Sequence, residues 1–142
     1  MNVREMSMDE CEDVLRRCRY GRLALSYEDR PYVIPMSYVY ADGTVILHSR
    51  PSGKKIEIAR RNSNVCFEVD ELEGQRWRSV IVYGKAQLSG SQEAKRKMFE
   101  AFMRSGIGGH GGKMFTWDML EKMDMCVWEI KAFEITGREG IW

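Results

Sequence analysis

At 142 residues the chain has the commonest length of one domain, long enough to bury a core and too short for two, so a single domain over residues 1–142 is expected. Lys and Arg total 22 against 21 Asp and Glu, a formal charge of +1, so no overall field exists to hold a nucleic-acid backbone, and a phosphate ligand needs a local basic site. Hydrophobic residues at 44% and charged residues at 30% exclude a disordered or collagen-like chain.

Residues 1–12 carry acids early and no apolar stretch. No apolar run approaches the roughly 18 residues a membrane span needs, so neither secretion nor membrane insertion is expected and a cytoplasmic location follows. Cys11, Cys18, Cys66 and Cys126 form no CxxC pair and lie in apolar-periodic segments, the pattern of buried free thiols in a reducing compartment.

Ser7 and Glu10 have capping-box spacing, and Met8, Cys11, Val14, Leu15 and Cys18 recur at helical intervals, predicting a first helix that ends by Tyr20 and Gly21. From Gly21 the period becomes two. Strands are predicted on either side of a Glu28-Asp29-Arg30-Pro31 turn, the second running from Tyr32 to Ala41. Asp42-Gly43 predicts a tight hairpin into an extended Thr44 to Ser49. Pro51, Ser52 and Gly53 break that strand, and Lys54 to Arg61 reads as a short helix with Ile56 and Ala59 inward. Strands follow at Asn64 to Glu71 and Arg76 to Ser89, then a Ser91-capped helix, a Gly-rich loop, a short helix from Trp117 to Met123 and a last strand from Cys126 to Arg138. Six strands joined mostly by hairpins, with peripheral helices, predict a mainly β, antiparallel sheet that closes into a barrel.

Between strand end and helix start, His48-Ser49-Arg50-Pro51-Ser52-Gly53-Lys54-Lys55 gathers hydroxyls, a flexible glycine and three cations. A helix N-terminus with such neighbours binds an anion from several sides; a plain solvated basic turn has the same spacing. Pro35 sits amid the aromatic strand of Tyr32, Tyr38 and Tyr40, where proline is disfavoured unless the strand is an edge or bulges beside a ligand. The run from Ser105 to Lys113 does not fit a phosphate-binding GxxxxGK[ST] loop and follows a helix, so it is taken as a mobile loop. His48 and His110 have no ligand partners at metal spacing, so no metal centre is expected.

Taken in order, Val33 to Tyr40, Asp42-Gly43, Leu47-His48-Ser49, Gly53-Lys54-Lys55, Trp77-Arg78-Ser79-Val80 and Gly84-Lys85-Ala86 resemble the pyridoxamine 5′-phosphate oxidase-like FMN-binding split barrels. The ending Thr136-Gly137-Arg138-Glu139 before Trp142 is similar to the branch of nitroimidazole-resistance-type flavoproteins. The resemblance implies a six-stranded split barrel that binds FMN. Pro35, Met36, Ser37 and Tyr38 lie against the flavin ring, with Met36 and Tyr38 offering backbone groups and Ser37 a secondary contact. His48 and Ser49 lie beside the ribityl chain and phosphate, Lys54 and Lys55 hold the phosphate, and Ser79 with Val80 approaches the ring. It also implies a homodimer with flavins between subunits, Trp128 or Trp142 of one chain completing the other's site.

The C-terminal Arg and His pair that reads the substrate phosphate in true pyridoxamine 5′-phosphate oxidases is not matched, since only Arg138 is present, which argues against vitamin B6 oxidation. The expected function is an FMN-dependent oxidoreductase acting on a small molecule, nitro compounds among the candidates. His48 is the one candidate proton donor near the ring, against a plainer role as a cofactor hydrogen-bond donor. The competing expectations are an electron-transfer module without a dedicated substrate and a haem-binding split barrel ligated through His48 or His110.

Overall fold

The sheet order β3-β2-β6-β7-β10-β5-β4 begins and ends on strands that are neighbours in the chain. β3 (Arg30–Ser37) pairs with β2 (Tyr20–Tyr27), and β4 (Val39–Ala41) pairs with β5 (Thr44–Ser49). The two halves of one bent strand thus close the sheet on itself, joined at Tyr38. The remaining staves are β6 (Asn64–Glu73), β7 (Arg76–Ser89) and β10 (Cys126–Ile141), all antiparallel. With β3 and β4 counted as one strand, this is the expected six-stranded split barrel. The computed structural model describes residues 2–106, 109–110, 113–114 and 116–142, the side chains of 109–110 and 113–114 excepted.

The predicted strand from Tyr32 to Ala41 breaks because Tyr38 turns into the core. Its side chain is 1% exposed, its hydroxyl donates to Leu15 O at 2.7 Å, and its ring meets Phe67 edge-on at 5.0 Å between centroids. Asp42 and Gly43 both take positive φ, 51° and 75°, the geometry a two-residue type I′ hairpin requires.

The short strand β1 (Asn2–Glu5), pairing with the far end of β10, was not predicted; β10 itself runs three residues past its expected end. α1 (Met8–Arg17) ends earlier than its periodicity suggests, at the extended cap Cys18. Its N-terminus is a complete capping box: Ser7 N–H donates to Glu10 Oε1 at 2.9 Å, and Glu10 N–H donates to Ser7 Oγ at 3.2 Å. Arg4 bridges Glu10 and Glu139, stitching β1, α1 and β10 together.

The Arg4 guanidinium, then the Ser7 N–H, hold the Glu10 carboxyl down at about 2, against an ordinary 4.5. A carboxyl depressed in the folded state contributes stability that is present above its unfolded value and lost as pH falls toward the folded one. Glu10→Gln is therefore expected to melt below the wild type at neutral pH, with the gap closing between about pH 4.5 and 2 in thermal melts across that range. Added salt should shrink the gap at neutral pH, since these groups are exposed.

α2 (Lys54–Arg61) matches its predicted span and packs Ile56 and Ala59 into the barrel core. α3 (Gln92–Arg104) is capped by Ser91, whose Oγ accepts from Ala94 N–H at 3.1 Å. The two-residue strands β8 (Gly109–His110) and β9 (Lys113–Met114) pair with each other before α4 (Trp117–Lys122). Ile107, Gly108, Gly111 and Gly112, part of the predicted mobile loop, lie outside the described residues.

The barrel core gathers Leu23, Leu25, Val45, Leu47, Phe67, Val69, Val80, Val82, Trp128 and Ile130, and a second cluster under α3 gathers Val39, Ile46, Met98, Phe102 and Val127. All four cysteines are free, but only Cys11 and Cys126 are buried; Cys18 and Cys66 are half-buried. Burial, then a hydrogen bond to Glu71, push the Cys18 thiol up to about 11. Iodoacetamide should therefore label Cys18 slowly at pH 8, with a rate that climbs toward pH 11, as peptide mass mapping would record.

Candidate functional site

The predicted site residues fall on three parts of the barrel wall. Along β3, Tyr38 N–H donates to Arg19 O at 3.0 Å. In an antiparallel ladder the backbone groups of alternate residues face the same neighbour, so Tyr38, Met36 and Ile34 direct theirs toward β2, and Val33, Pro35 and Ser37 direct theirs to the open edge. Pro35 thus lacks its donor where no ladder bond is lost, which explains a proline in this strand and meets the edge expectation. The geometry also reverses one expectation: the edge-facing backbone belongs to Ser37, Pro35 and Val33, not to Met36 and Tyr38. The Met36 side chain packs against the core.

The second group surrounds the start of α2. Gly53 is the helix N-cap, with φ 126° and ψ −179°, and no side chain caps the helix. That backbone lies in territory L side chains rarely adopt, so glycine is required there. The first-turn N–H groups of α2 are left for an external acceptor, with the Lys54 and Lys55 ammonium groups on the first turn. Lys54 Nζ stands 5.2 Å from the centre of the Tyr32 ring on β3, which brings the helix start and the β3 strand together. Ser49 is committed elsewhere: its hydroxyl accepts the Trp128 indole N–H at 2.9 Å and donates to Arg50 O at 2.8 Å. Trp128 is fully buried, so it cannot reach a partner's site as the resemblance implied. His48 shares the face of Ile46 rather than of Ser49, its ring 6.5 Å from Phe102 of α3, so the His-Ser pair does not act from one side of the strand.

The third group is on β7. Val80 is fully buried in the barrel core, so its side chain cannot touch a ligand, and only its backbone is in question. Ser79 points the other way, its hydroxyl donating to Glu68 Oε2 at 2.8 Å. Three strand steps separate β3 from β7, roughly 14 Å at ordinary spacing. The space between holds a charged cluster that sequence reasoning missed: Arg22 donates to Glu68 at 3.1 Å and to Asp70 at 2.8 Å. Burial, then the neighbouring Asp70 carboxyl, raise the Glu68 pKa. Arg22 lies far in sequence from Glu68 and Asp70 and meets them only through the β2–β6 register, so no local signal marks the cluster.

Concavities of the described residues touch these groups at Ser79 and open beside the others. One of about 620 Å³ includes Ser79, Ile81, Tyr83 and Arg138; one of about 430 Å³ includes Pro51, Arg60 and Cys126. The described residues hold no group of three or more His, Cys, Asp or Glu able to bind a metal, and no helix among them is long and apolar enough to cross a membrane.

Comparison with known proteins decides the family. A family model described as pyridoxamine 5′-phosphate oxidase matches residues 7–139. The chain belongs to that family. Within and around the family, it is 32% identical over 124 residues to an uncharacterised protein of Rhizobium meliloti, covering 86% of this chain and 72% of that one. Among solved structures, an FAD-binding protein from Mesorhizobium loti is 32% identical with a TM-score of 0.79, covering 99% of both chains. A candidate 5-nitroimidazole antibiotic resistance protein from Bacteroides thetaiotaomicron, 24% identical with a TM-score of 0.77 and covering 98% of this chain and 89% of that one, shares the fold. The family relatives thus include flavin-binding proteins, in keeping with the split barrel described above.

Proposed function

We propose that this chain is an FMN-binding flavoprotein that works as a homodimer, holds the flavin phosphate at the start of α2, and acts as an oxidoreductase on a small-molecule substrate. The observation that carries this is the uncapped first turn of α2, with Gly53 at positive φ, Lys54 and Lys55 on it, and Lys54 against Tyr32 of the β3 strand. Unpaired N–H groups, the partial positive charge of the helix end and two ammonium groups suit a phosphate dianion.

Bound flavin supplies the electron-transfer chemistry; the protein supplies binding, orientation and exclusion of water. The open edge of β3 offers the Ser37 and Val33 N–H groups and the Pro35 carbonyl to the polar edge of a flat ring, with Met36 and Tyr38 behind them fixing the strand. Ser79 and the Val80 backbone approach from β7. Ser49 acts by anchoring the strand end through Trp128, and His48, on the other face, reaches the site only from its rim. A cofactor-contacting role suits His48 better than proton transfer.

The homodimer is supported by what one chain leaves uncovered: Val33 is 62% exposed on the outer face of β3, and Phe133 is 70% exposed. The FAD-binding Mesorhizobium loti relative favours a second reading, in which FAD replaces FMN. One helix start with two lysines matches a single phosphate better than a diphosphate carrying adenosine.

Denaturing the purified protein and weighing the released chromophore tests the proposal. FMN supports it and FAD replaces it with the second reading. A haem band would favour ligation through a histidine, and a colourless protein that takes up no added flavin would overturn it.

A further inference from the structure

α2 lies against the β2–β3 hairpin, and both of its ends sit on tyrosines of that hairpin. Lys54, the first residue of the helix, holds Nζ 5.2 Å from the centre of the Tyr32 ring on β3, and Arg61, the last, holds its guanidinium carbon 5.4 Å from the centre of the Tyr27 ring on β2. One residue further on, the Asn62 side-chain N–H donates to Ser26 O at 2.8 Å, and its side-chain carbonyl accepts the Asn64 N–H at 3.1 Å. Tyr32 stands opposite Leu25 in the ladder and Tyr27 follows Leu25 by two residues, so strand alternation puts both rings on the face that Leu25 buries in the core. The Tyr32 ring packs against that core and is a fixed seat, whereas Lys54 is an exposed side chain on a long flexible stem.

A lysine left free in water loses its rotamer freedom when it grips a ligand; one whose ammonium already rests on a ring face has lost part of that freedom beforehand. The ring takes one side of the ammonium and leaves N–H groups on the others for an acceptor. At the far end of the helix, the Arg61 and Asn62 contacts hold α2 to the same hairpin, so the first turn keeps its place beside β3. We infer that Tyr32 is a positioning residue of the phosphate site: it sets the Lys54 ammonium in place for a phosphate dianion without touching the ligand itself. This role rests on the α2 start being a flavin phosphate site, and it gives that site a residue outside the basic loop.

The test is a double-mutant cycle on the full flavin-free chain, read as the ratio of FMN to riboflavin affinity in fluorescence titrations. Riboflavin lacks the phosphate, so general damage to the barrel weakens both ligands and leaves the ratio alone. Tyr32→Leu is expected to lower the ratio by about three- to tenfold, the span of one exposed ion–ring contact together with the ordering of one lysine side chain. Tyr32→Phe, which keeps the ring face, should hold the ratio within about twofold of the wild type. In a Lys54→Ala background Tyr32→Leu should no longer change the ratio, because the side chain through which Tyr32 acts is gone. A ratio unmoved by Tyr32→Leu, a fall just as large with Tyr32→Phe, or a fall that persists without Lys54 would overturn the role of Tyr32 while leaving the phosphate site standing. Equal affinities for FMN and riboflavin in the wild type would remove the phosphate site itself, and the role of Tyr32 with it.

Discussion

Replacing Lys54 and Lys55 together by alanine is expected to weaken FMN binding by about a hundredfold to ten-thousandfold, each lysine contributing a charge-assisted contact of about 1.5 to 3 kcal/mol. Both residues open α2 just after an N-cap that supplies no side chain, so nothing else on that turn neutralises a phosphate. The loss should appear in direct titration of the flavin-free protein with FMN, monitored by quenching of flavin fluorescence. Lys54 is exposed and its contact with Tyr32 is a surface one, so the thermal midpoint of the flavin-free variant should stay close to that of the wild type. An unchanged dissociation constant would put the phosphate elsewhere.

Trp128→Ala is expected to cost about 3 to 5 kcal/mol in denaturant unfolding, the range for emptying a large, fully buried aromatic position. Trp128 lies across from Leu47 on β5 and Leu88 on β7, so it fills the barrel core where β10 runs between those two strands. The change also strips Ser49 Oγ of its donor at the strand end that leads to Gly53. Trp128→Phe, which fills most of the volume without the N–H, should cost about 1 to 2 kcal/mol and still loosen FMN binding, because the anchor of the phosphate-facing loop is lost. If Trp128→Phe binds FMN as tightly as the wild type, the loop does not depend on that hydrogen bond.

What could be foreseen from the sequence was written in local chemistry. The Ser7 and Ser91 caps, the Asp42-Gly43 turn and the Pro51 to Gly53 break act within a few residues, and each element they bound lies where its signal puts it. The run of hairpin-joined strands already pointed to an antiparallel sheet closing into a barrel, and the ordered blocks from Val33 to Ala86 pointed to the split barrel in particular. Facts that depend on register were out of reach. Nothing around Asn2 announces a strand until β10 is there to receive it, and Tyr38 breaks its strand only because Leu15 O and Phe67 wait inside the barrel. Likewise the sides of β5 taken by His48 and Ser49, the burial of Val80 and the meeting of Arg22 with Glu68 and Asp70 follow from pairing across the sheet.

The measurement that bears most directly on the central claim compares FMN with riboflavin, the same ring and ribityl chain without the phosphate, on the flavin-free protein. With the phosphate held by the α2 start, Lys54 and Lys55, FMN should bind about a hundredfold or more tightly than riboflavin, and the double lysine variant should bring the two affinities together. Equal affinities in the wild type, or a preference for FMN that survives the loss of both lysines, would contradict it.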